Sequence, residues 1–282
     1  MLSHSVRSPE TTTKMSEKTK SPFYDYAEPA TSSPTPPRLG KAIQNVLTTR
    51  SHFATITRSA LDRINLINFS ETEIAAIHEV VNKNWWKGIT AVYPREQSRE
   101  FKLKGYPWGY DPNGCEDSLL LVLRMIETLY NMGWVIYSAI EISKRVRTKD
   151  ALVFRRQYHI LPPCEWVNIS FHGGDKLKIL NSPPSQLVND VIAAFITDIQ
   201  RHEVTAERAK IKFKGFPWRS VGHDDEDETQ MKLLTLLEVV ERNGFTLYAR
   251  TTARYSDETS ESNVLIFQRR PDWVSGTSVY DR

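Results

Sequence analysis

Residues that could do chemistry occur in two matching sets along the chain. Two alternating lysines precede a Gly-x-Pro-Trp loop in each set, and an acidic pair follows each loop. The first set is Lys102, Lys104, Trp108 and Glu116-Asp117; the second is Lys212, Lys214, Trp218 and Glu226-Asp227. Repetition at this spacing predicts a duplicated structural unit, so any site should be judged by whether both copies carry it.

The loop between the lysines and the acidic pair has the layout of a phosphate-binding turn, with glycine before a helix start. It lacks the Gly-Lys-Ser/Thr ending and the three-glycine spacing of nucleotide loops. The acidic pair would sit at the positive end of the helix dipole, where it stabilises the helix and repels a phosphate. We therefore predict no cofactor here.

A cation site is the second chemistry that these acids could support. His223, Asp224, Asp225 and Asp227 offer nitrogen and oxygen donors. Their spacing is not that of a calcium loop, and the first copy has no histidine there. We predict a solvated acidic helix start and no metal.

No catalytic arrangement emerges from the remaining residues. The seven histidines do not recur at matching places, and no Gly-x-Ser-x-Gly turn is present. Cys115 and Cys164 have neither metal-ligand spacing nor a nucleophile signature. The sequence thus predicts a protein that is not an enzyme, with an enzyme lacking any recognisable motif as an alternative.

Trp108 and Trp218 allow two interpretations. Glycine permits a tight turn and proline fixes the backbone, so each ring is held in one direction. The ring either fills the core against its own second helix or stands exposed as an anchor for a partner. We favour the core and keep the anchor as the alternative.

The alternating lysines suggest a charged sheet face. Lys102 and Lys104, like Lys212 and Lys214, would point away from the helices if their strands are regular. With Arg155-Arg156 and Arg269-Arg270 they could form a basic stripe that follows a nucleic-acid backbone. The alternative is an ordinary solvated face of an antiparallel sheet.

The elements that must position these residues follow one order in both copies: strand, strand, helix, strand, helix, strand, strand. Ser70 and Glu73 predict a capping box at the first helix. We predict the α+β class, as two tandem copies of a two-layer sandwich. Each copy has a mostly antiparallel sheet of about five strands with two helices on one face.

Composition and length divide the chain further. Residues 1–50 are rich in Ser, Thr and Pro and predict a disordered tail, with Ser-Pro and Thr-Pro pairs suited to proline-directed kinases. We predict repeat domains at 51–158 and 164–273 and a flexible C-terminus at 274–282. The net charge of +3, two cysteines and no long apolar run predict a cytoplasmic protein, with the nucleus as the alternative and no membrane partner.

The repeated Lys-x-Lys-Gly-x-Pro-Trp motif, with its acidic helix start and the later Gly-Trp or Gly-Phe, resembles a group of uncharacterised eukaryotic tandem-repeat proteins. The resemblance covers residues 52–271 and implies no activity. The sequence predicts a non-enzymatic protein-interaction or scaffold module with a phospho-regulated tail and an unidentified protein partner. Binding of RNA or DNA through a basic sheet face is the alternative.

Overall fold

The computed structural model describes residues 51–109, 116–140, 148–219, 223–254 and 261–280. The predicted tail, residues 1–50, lies outside the described residues. Residues 50–282 form one compact unit. No helix among the described residues is both long enough and apolar enough to cross a membrane.

Repeat 1 and repeat 2 contain the same eight elements in the same order. Repeat 1 consists of β1 (Phe53–Ser59), β2 (Arg63–Ile67), α1 (Glu71–Asn84), β3 (Ile89–Pro94), β4 (Ser98–Leu103), α2 (Glu116–Asn131), β5 (Trp134–Ile140) and β6 (Thr148–Arg156). Repeat 2 consists of β7 (Glu165–His172), β8 (Lys176–Leu180), α3 (Ser185–Ala194), β9 (Ile199–Val204), β10 (Arg208–Phe213), α4 (His223–Arg242), β11 (Thr246–Arg254) and β12 (Glu261–Arg269).

Each repeat folds its strands into one antiparallel sheet. The strand order is β3-β4-β2-β1-β6-β5 in sheet 1 and β9-β10-β8-β7-β12-β11 in sheet 2. The predicted α+β class with two helices per copy is confirmed, and each sheet has six strands rather than about five. The additional strands, β3 and β9, are edge strands that pair only with β4 and β10, and their residues are mostly solvent-accessible. They therefore lack the buried alternation by which a strand is recognised in a sequence.

Local sequence signals explain how the helices begin and where they pack. The Ser70 side chain accepts from the backbone N–H of Glu73, and the Glu73 carboxylate accepts from that of Ser70, so the predicted capping box is confirmed. Ile77, Val81 and Trp85 then bury one side of α1 against sheet 1. Repeat 2 builds its own core between sheet 2 and its helices, around residues such as Phe213 and Phe245.

Helix α2 is buried on two sides, and this joins the two repeats. One side contacts α1 and β5 of sheet 1, and residues such as Leu121 and Leu129 lie in the hydrophobic cluster of repeat 1. The other side meets the outer face of sheet 2, meaning the face opposite α3 and α4. There Leu119 packs with Leu180 and Val264. The layers therefore run sheet 1, α1 with α2, sheet 2, then α3 with α4.

Candidate functional site

Two aromatic pairs occupy equivalent places on the outer faces of the two sheets. Phe53 of β1 and Tyr137 of β5 form the repeat 1 pair, with ring centroids 5.4 Å apart. Trp166 of β7 and Tyr248 of β11 form the repeat 2 pair, at 4.9 Å. Both tyrosines lie at a bulge in the ladder between the last two strands of their repeat. The pairs are therefore the same feature of the fold, present twice.

In repeat 2, the aromatic pair contacts a ring from helix α2. Tyr130 of α2 lies edge-on to Trp166 at 5.2 Å and to Tyr248 at 5.8 Å. Trp166 is only 4% exposed as a result. The Tyr248 hydroxyl accepts a hydrogen bond from the backbone N–H of Ile136 at 2.9 Å, and burial raises the pKa of Tyr248 to about 12. Three edge-to-face rings thus bind a helix to an outer sheet face.

The repeat 1 pair is not covered by any described residue. Phe53 is 38% exposed and Tyr137 is 62% exposed. The apolar positions that surround the pair in repeat 2 are kept in repeat 1, because Val153 and Ile67 stand where repeat 2 has Ile266 and Leu180. Sheet 1 therefore presents the elements of the same docking face to solvent.

A matching asparagine completes this face in both repeats. Asn68 and Asn181 each adopt a left-handed backbone after their strand, with φ of 64° and 81°. Each donates its side-chain amide, at 2.6 Å, to the carbonyl of the first aromatic residue, Phe53 or Trp166. In repeat 2 the Asn181 oxygen also accepts from Arg124 of α2 at 2.5 Å. In repeat 1 the Asn68 side chain is exposed.

The acidic start of α2 is held by sheet 2. Oε1 of Glu116 lies 2.9 Å from the Lys178 ammonium and 3.1 Å from that of Lys210, and Oε2 lies 2.8 Å from the Arg208 guanidinium. Burial alone would raise the pKa of Glu116, but the hydrogen bonds and charges of Lys178 and Lys210 lower it. Glu116 therefore does more than stabilise its own helix: it links the repeats.

Sheet 1 has no cations at the positions equivalent to those that bind Glu116 in sheet 2. The register places Asn65, Glu100 and Ser98 where sheet 2 has Lys178, Lys210 and Arg208. A helix that docked on sheet 1 with an acidic first turn would meet no matching cations there. The two outer faces thus share their aromatic and asparagine contacts and differ in their charge.

Trp108 and Trp218 each lie beside the turn that joins the first two strands of their repeat. Trp108 is 5% exposed, and its indole N–H donates to the Arg63 carbonyl at 3.0 Å. Trp218 is half-buried and packs against Phe171 and Phe213. Both backbone N–H groups bond to the β-hairpin turn of their repeat, at Leu61 and Gly174. Trp108 is buried, which fits the core interpretation. Trp218 occupies the same place with more of its surface accessible.

The exposed aromatic of each loop is the residue before the proline, which sequence reasoning overlooked. Tyr106 is 70% exposed and Phe216 is 62% exposed. The signal was available, because an aromatic residue recurs at that position in both copies. The sequence could not say which of the two aromatic residues in each loop faces solvent.

The predicted basic stripe is not formed, because its members point in different directions. Lys102 and Lys212 lie on the outer faces of their sheets. Lys104 and Lys214 lie beyond the ends of β4 and β10, and the Lys214 ammonium donates to the Thr197 carbonyl at 2.8 Å. The strands end one residue before these lysines, so the alternation that predicted a shared face does not reach them.

Arg155 and Arg156 face opposite sides of sheet 1, as consecutive residues of a strand must. Arg155 is exposed on the outer face beside Phe53. Arg156 lies on the helix side, 2.5 Å from Oε1 of Glu73 and over the Trp134 ring. Burial would raise the pKa of Glu73, but hydrogen bonds from Trp134 and Ser70 and the charge of Arg156 lower it. Arg156 is thus a structural residue.

The register shows that the two arginine pairs of the predicted basic stripe do not occupy equivalent positions. Arg269 is the counterpart of Arg156, since it lies over Phe245, the counterpart of Trp134, and binds Glu165 at 2.5 Å. Gln268 is then the counterpart of Arg155.

Among the residues that the structure describes, no group of three or more His, Cys, Asp or Glu side chains could hold a metal ion.

One domain-family model matches the chain twice, over residues 52–155 and 165–268. The chain belongs to that domain family. The two matches coincide with repeats 1 and 2, which confirms the tandem duplication. None of the curated proteins matches the chain.

A crystal structure of a conserved kinetoplastid-specific protein from Trypanosoma cruzi is similar to this chain at 18% sequence identity. The match covers 38% of this chain and 96% of that chain, with a TM-score of 0.28.

Proposed function

We propose that the protein is a non-enzymatic protein-interaction module, and that it binds a partner helix on the outer face of sheet 1. The observation that supports this is the pair of equivalent aromatic sites. The repeat 2 pair, Trp166 and Tyr248, holds Tyr130 of a helix, whereas the repeat 1 pair, Phe53 and Tyr137, stands in solvent.

The precedent within the chain indicates what the partner helix carries. Helix α2 contributes Tyr130 to the aromatic pair and Arg124 to Asn181. A helix on sheet 1 would likewise place an aromatic ring between Phe53 and Tyr137 and an arginine against Asn68. Its first turn would be neutral, because Asn65 and Glu100 replace the cations that hold Glu116.

A second copy of this chain is a poor occupant. Counted from the glycines that end the two helices, Gly133 and Gly244, α4 has Thr235 and Glu241 where α2 has Arg124 and Tyr130. Helix α4 therefore offers neither the arginine nor the aromatic ring. Charge and contacts both favour a different protein as the partner.

Exposed aromatic residues on a rigid sheet are well suited to this role. Aromatic anchors dominate the energetics of protein interfaces because they bury a large surface at a low entropic cost.

The described residues with a shifted pKa, such as Glu73 and Glu116, form ion pairs that hold helices in place. Their shifts therefore have structural causes, which favours a binding role over catalysis.

The test places a photo-crosslinking amino acid at position 137 of the full-length chain in native lysate. We expect an adduct with another protein whose crosslinked peptide belongs to a helix with an aromatic residue. Phe53→Ala with Tyr137→Ala should abolish co-purification of that protein while leaving the free energy of unfolding within about 0.5 kcal/mol per site.

Trp86→Ala is the matched control, because Trp86 is an exposed aromatic residue of the same repeat outside the pair. It should leave capture unchanged. Adducts only with a second copy of the chain, or capture that survives the double substitution, would contradict the proposal.

We further propose that the N-terminal tail regulates this binding by phosphorylation. The support is the sequence, where Ser8, Ser21, Ser33 and Thr35 each precede a proline. Substituting all four by alanine should make partner capture insensitive to phosphatase treatment, and unchanged sensitivity would contradict this role.

A further inference from the structure

The half of the outer face of sheet 2 that α2 leaves uncovered forms a basic cleft. Its floor is built by β8, β10 and the edge strand β9, Glu116 closes one side, and its volume is about 420 Å³. Its charged lining consists of Lys176, Lys178, Arg201, Lys210 and Lys212, with Glu116 and Glu203. The lining therefore carries an excess of positive charge.

The strand register places three of these cations side by side. Lys212 of β10 lies opposite Lys176 of β8 and opposite Arg201 of β9. We call these residues the cationic row. Neighbouring strands are about 4.8 Å apart, so the row presents three positive charges across roughly 10 Å. Like charges directly opposite each other destabilise a sheet, so the row has an electrostatic cost to the fold.

Carboxylates neutralise the adjacent row and leave the cationic row largely uncompensated. Lys178 and Lys210 both bind Glu116. Within the described residues, the cationic row makes one ion pair, between Lys212 and Asp175, with 3.6 Å between Nζ and Oδ2. One carboxylate thus pairs directly with one of the three cations, and Glu116 and Glu203 line the same cleft beside the adjacent row.

We propose that the basic cleft binds the phosphate groups of a ligand across the cationic row. Lysine and arginine are the common partners of phosphate oxygens, and the volume suits a ligand of nucleotide size. Among the described residues that line the cleft there is no Phe, Tyr or Trp on which a base could stack. Recognition therefore falls on phosphates, carried by a free polyphosphate or by a nucleic-acid backbone. This site is independent of the aromatic pair in repeat 1.

Repeat 1 supplies the contrast that makes the inference specific. Lys102 is the counterpart of Lys212, but it lies opposite Ala91 where repeat 2 has Arg201. Arg63, the counterpart of Lys176, forms an ion pair with Glu100. The cationic row is therefore a property of repeat 2 alone among the described strands.

The experiment measures binding of tripolyphosphate by calorimetry and of a fluorescent single-stranded oligonucleotide by anisotropy, using the full-length chain at several salt concentrations. Lys176→Gln with Lys212→Gln should weaken binding of the bound probe at least tenfold. For the oligonucleotide, loss of two phosphate contacts should reduce the slope of log affinity against log salt by about 1.4. Lys102→Gln, at the counterpart position, should change neither.

The outcomes separate the ligand sources and can overturn the site. An oligonucleotide that binds more tightly than tripolyphosphate assigns the phosphates to a nucleic-acid backbone, and the reverse assigns them to a small polyphosphate. If the double variant fails to fold by circular dichroism, Arg201→Gln on the exposed edge strand must show the same weakening. Absence of binding by both probes, or equal weakening by Lys102→Gln, would overturn the proposal.

Discussion

At the scale of single residues, Trp108 shows how the repeated loop is fixed to the fold. Its ring is buried, its indole N–H is satisfied by the Arg63 carbonyl, and the Arg58 guanidinium lies 5.4 Å from the ring centroid. Arg58 itself reaches β11, where it donates to Thr251 at 2.6 Å. One side chain thus connects the loop of repeat 1 to a strand of repeat 2.

We expect Trp108→Ala to lower the free energy of unfolding by about 3–5 kcal/mol, because the change opens a large cavity and removes the hydrogen bond from the indole N–H to the Arg63 carbonyl. Thermal and denaturant melts measure this. Trp218→Ala should cost less, since Trp218 is only half-buried. Tyr106→Ala, two residues from Trp108 and exposed, should change stability by no more than about 0.5 kcal/mol. A Trp108→Ala protein as stable as the Tyr106→Ala control would refute the core role.

His172 gives the protein a predictable response to acid. Its Nε2 lies 2.9 Å from the Ser170 hydroxyl on the outer face of sheet 2. Burial, reinforced by the charges of Lys178 and Lys176 and opposed by that of Glu116, lowers the pKa of His172 from 6.5 to about 3. Below pH 6.5 the unfolded chain therefore takes up a proton that the folded chain refuses.

Stability should consequently fall as the pH drops from 6.5 towards 3, and by about 2 kcal/mol between pH 6.5 and 5 from His172 alone. Glu73 and Glu116, whose pKa values are lowered, lose their contribution only below their ordinary value of 4.5. Chemical denaturation at pH 6.5 and 5 isolates the histidine. His172→Asn should flatten this dependence, and an unchanged slope would show that His172 is not its source.

At the scale of elements, helix α2 is tied to sheet 2 through Glu116. Glu116→Gln would remove the carboxylate that pairs with the buried ammonium of Lys178, so we expect the free energy of unfolding to fall by about 2–4 kcal/mol. The expected loss is somewhat smaller than the usual cost of breaking a buried ion pair, because Arg208 and Lys210 are partly exposed to solvent. Asp117→Asn is the control, since Asp117 is exposed on the same first turn. Equal melts for the two variants would contradict the link.

The sequence predicted the helices and strands better than the long-range contacts between them. The capping box at Ser70, the apolar spacing of α2 and the two-copy order all follow from local patterns. The role of Glu116 does not, because the cations that hold it lie in the other repeat and no local rule connects them. For the same reason the acidic pair was interpreted as helix capping alone, and the aromatic pairs, whose members come from distant strands, were not recognised.

At the scale of the whole molecule, the two repeats should unfold together. Helix α2 belongs to both cores, and the hydrophobic cluster of repeat 1 includes Trp166, Ala249 and Ile266 from repeat 2. Calorimetry should show one transition whose calorimetric and van't Hoff enthalpies agree. Trp108→Ala should also increase amide exchange in β12, within repeat 2. Two resolved transitions, with β12 protected in the variant, would show that the repeats are independent.

The difference between α2 and α4 gives the stack a direction. Helix α2 contacts the next sheet through Leu119 and Tyr130, whereas α4 has Gln230 and Glu241 at those positions, with Met231 and Leu234 also exposed. A polar outer face is how terminal units of repeat arrays prevent further stacking. Addition of another such unit is therefore less favourable at α4 than at sheet 1, so that an array built on this chain would extend from sheet 1.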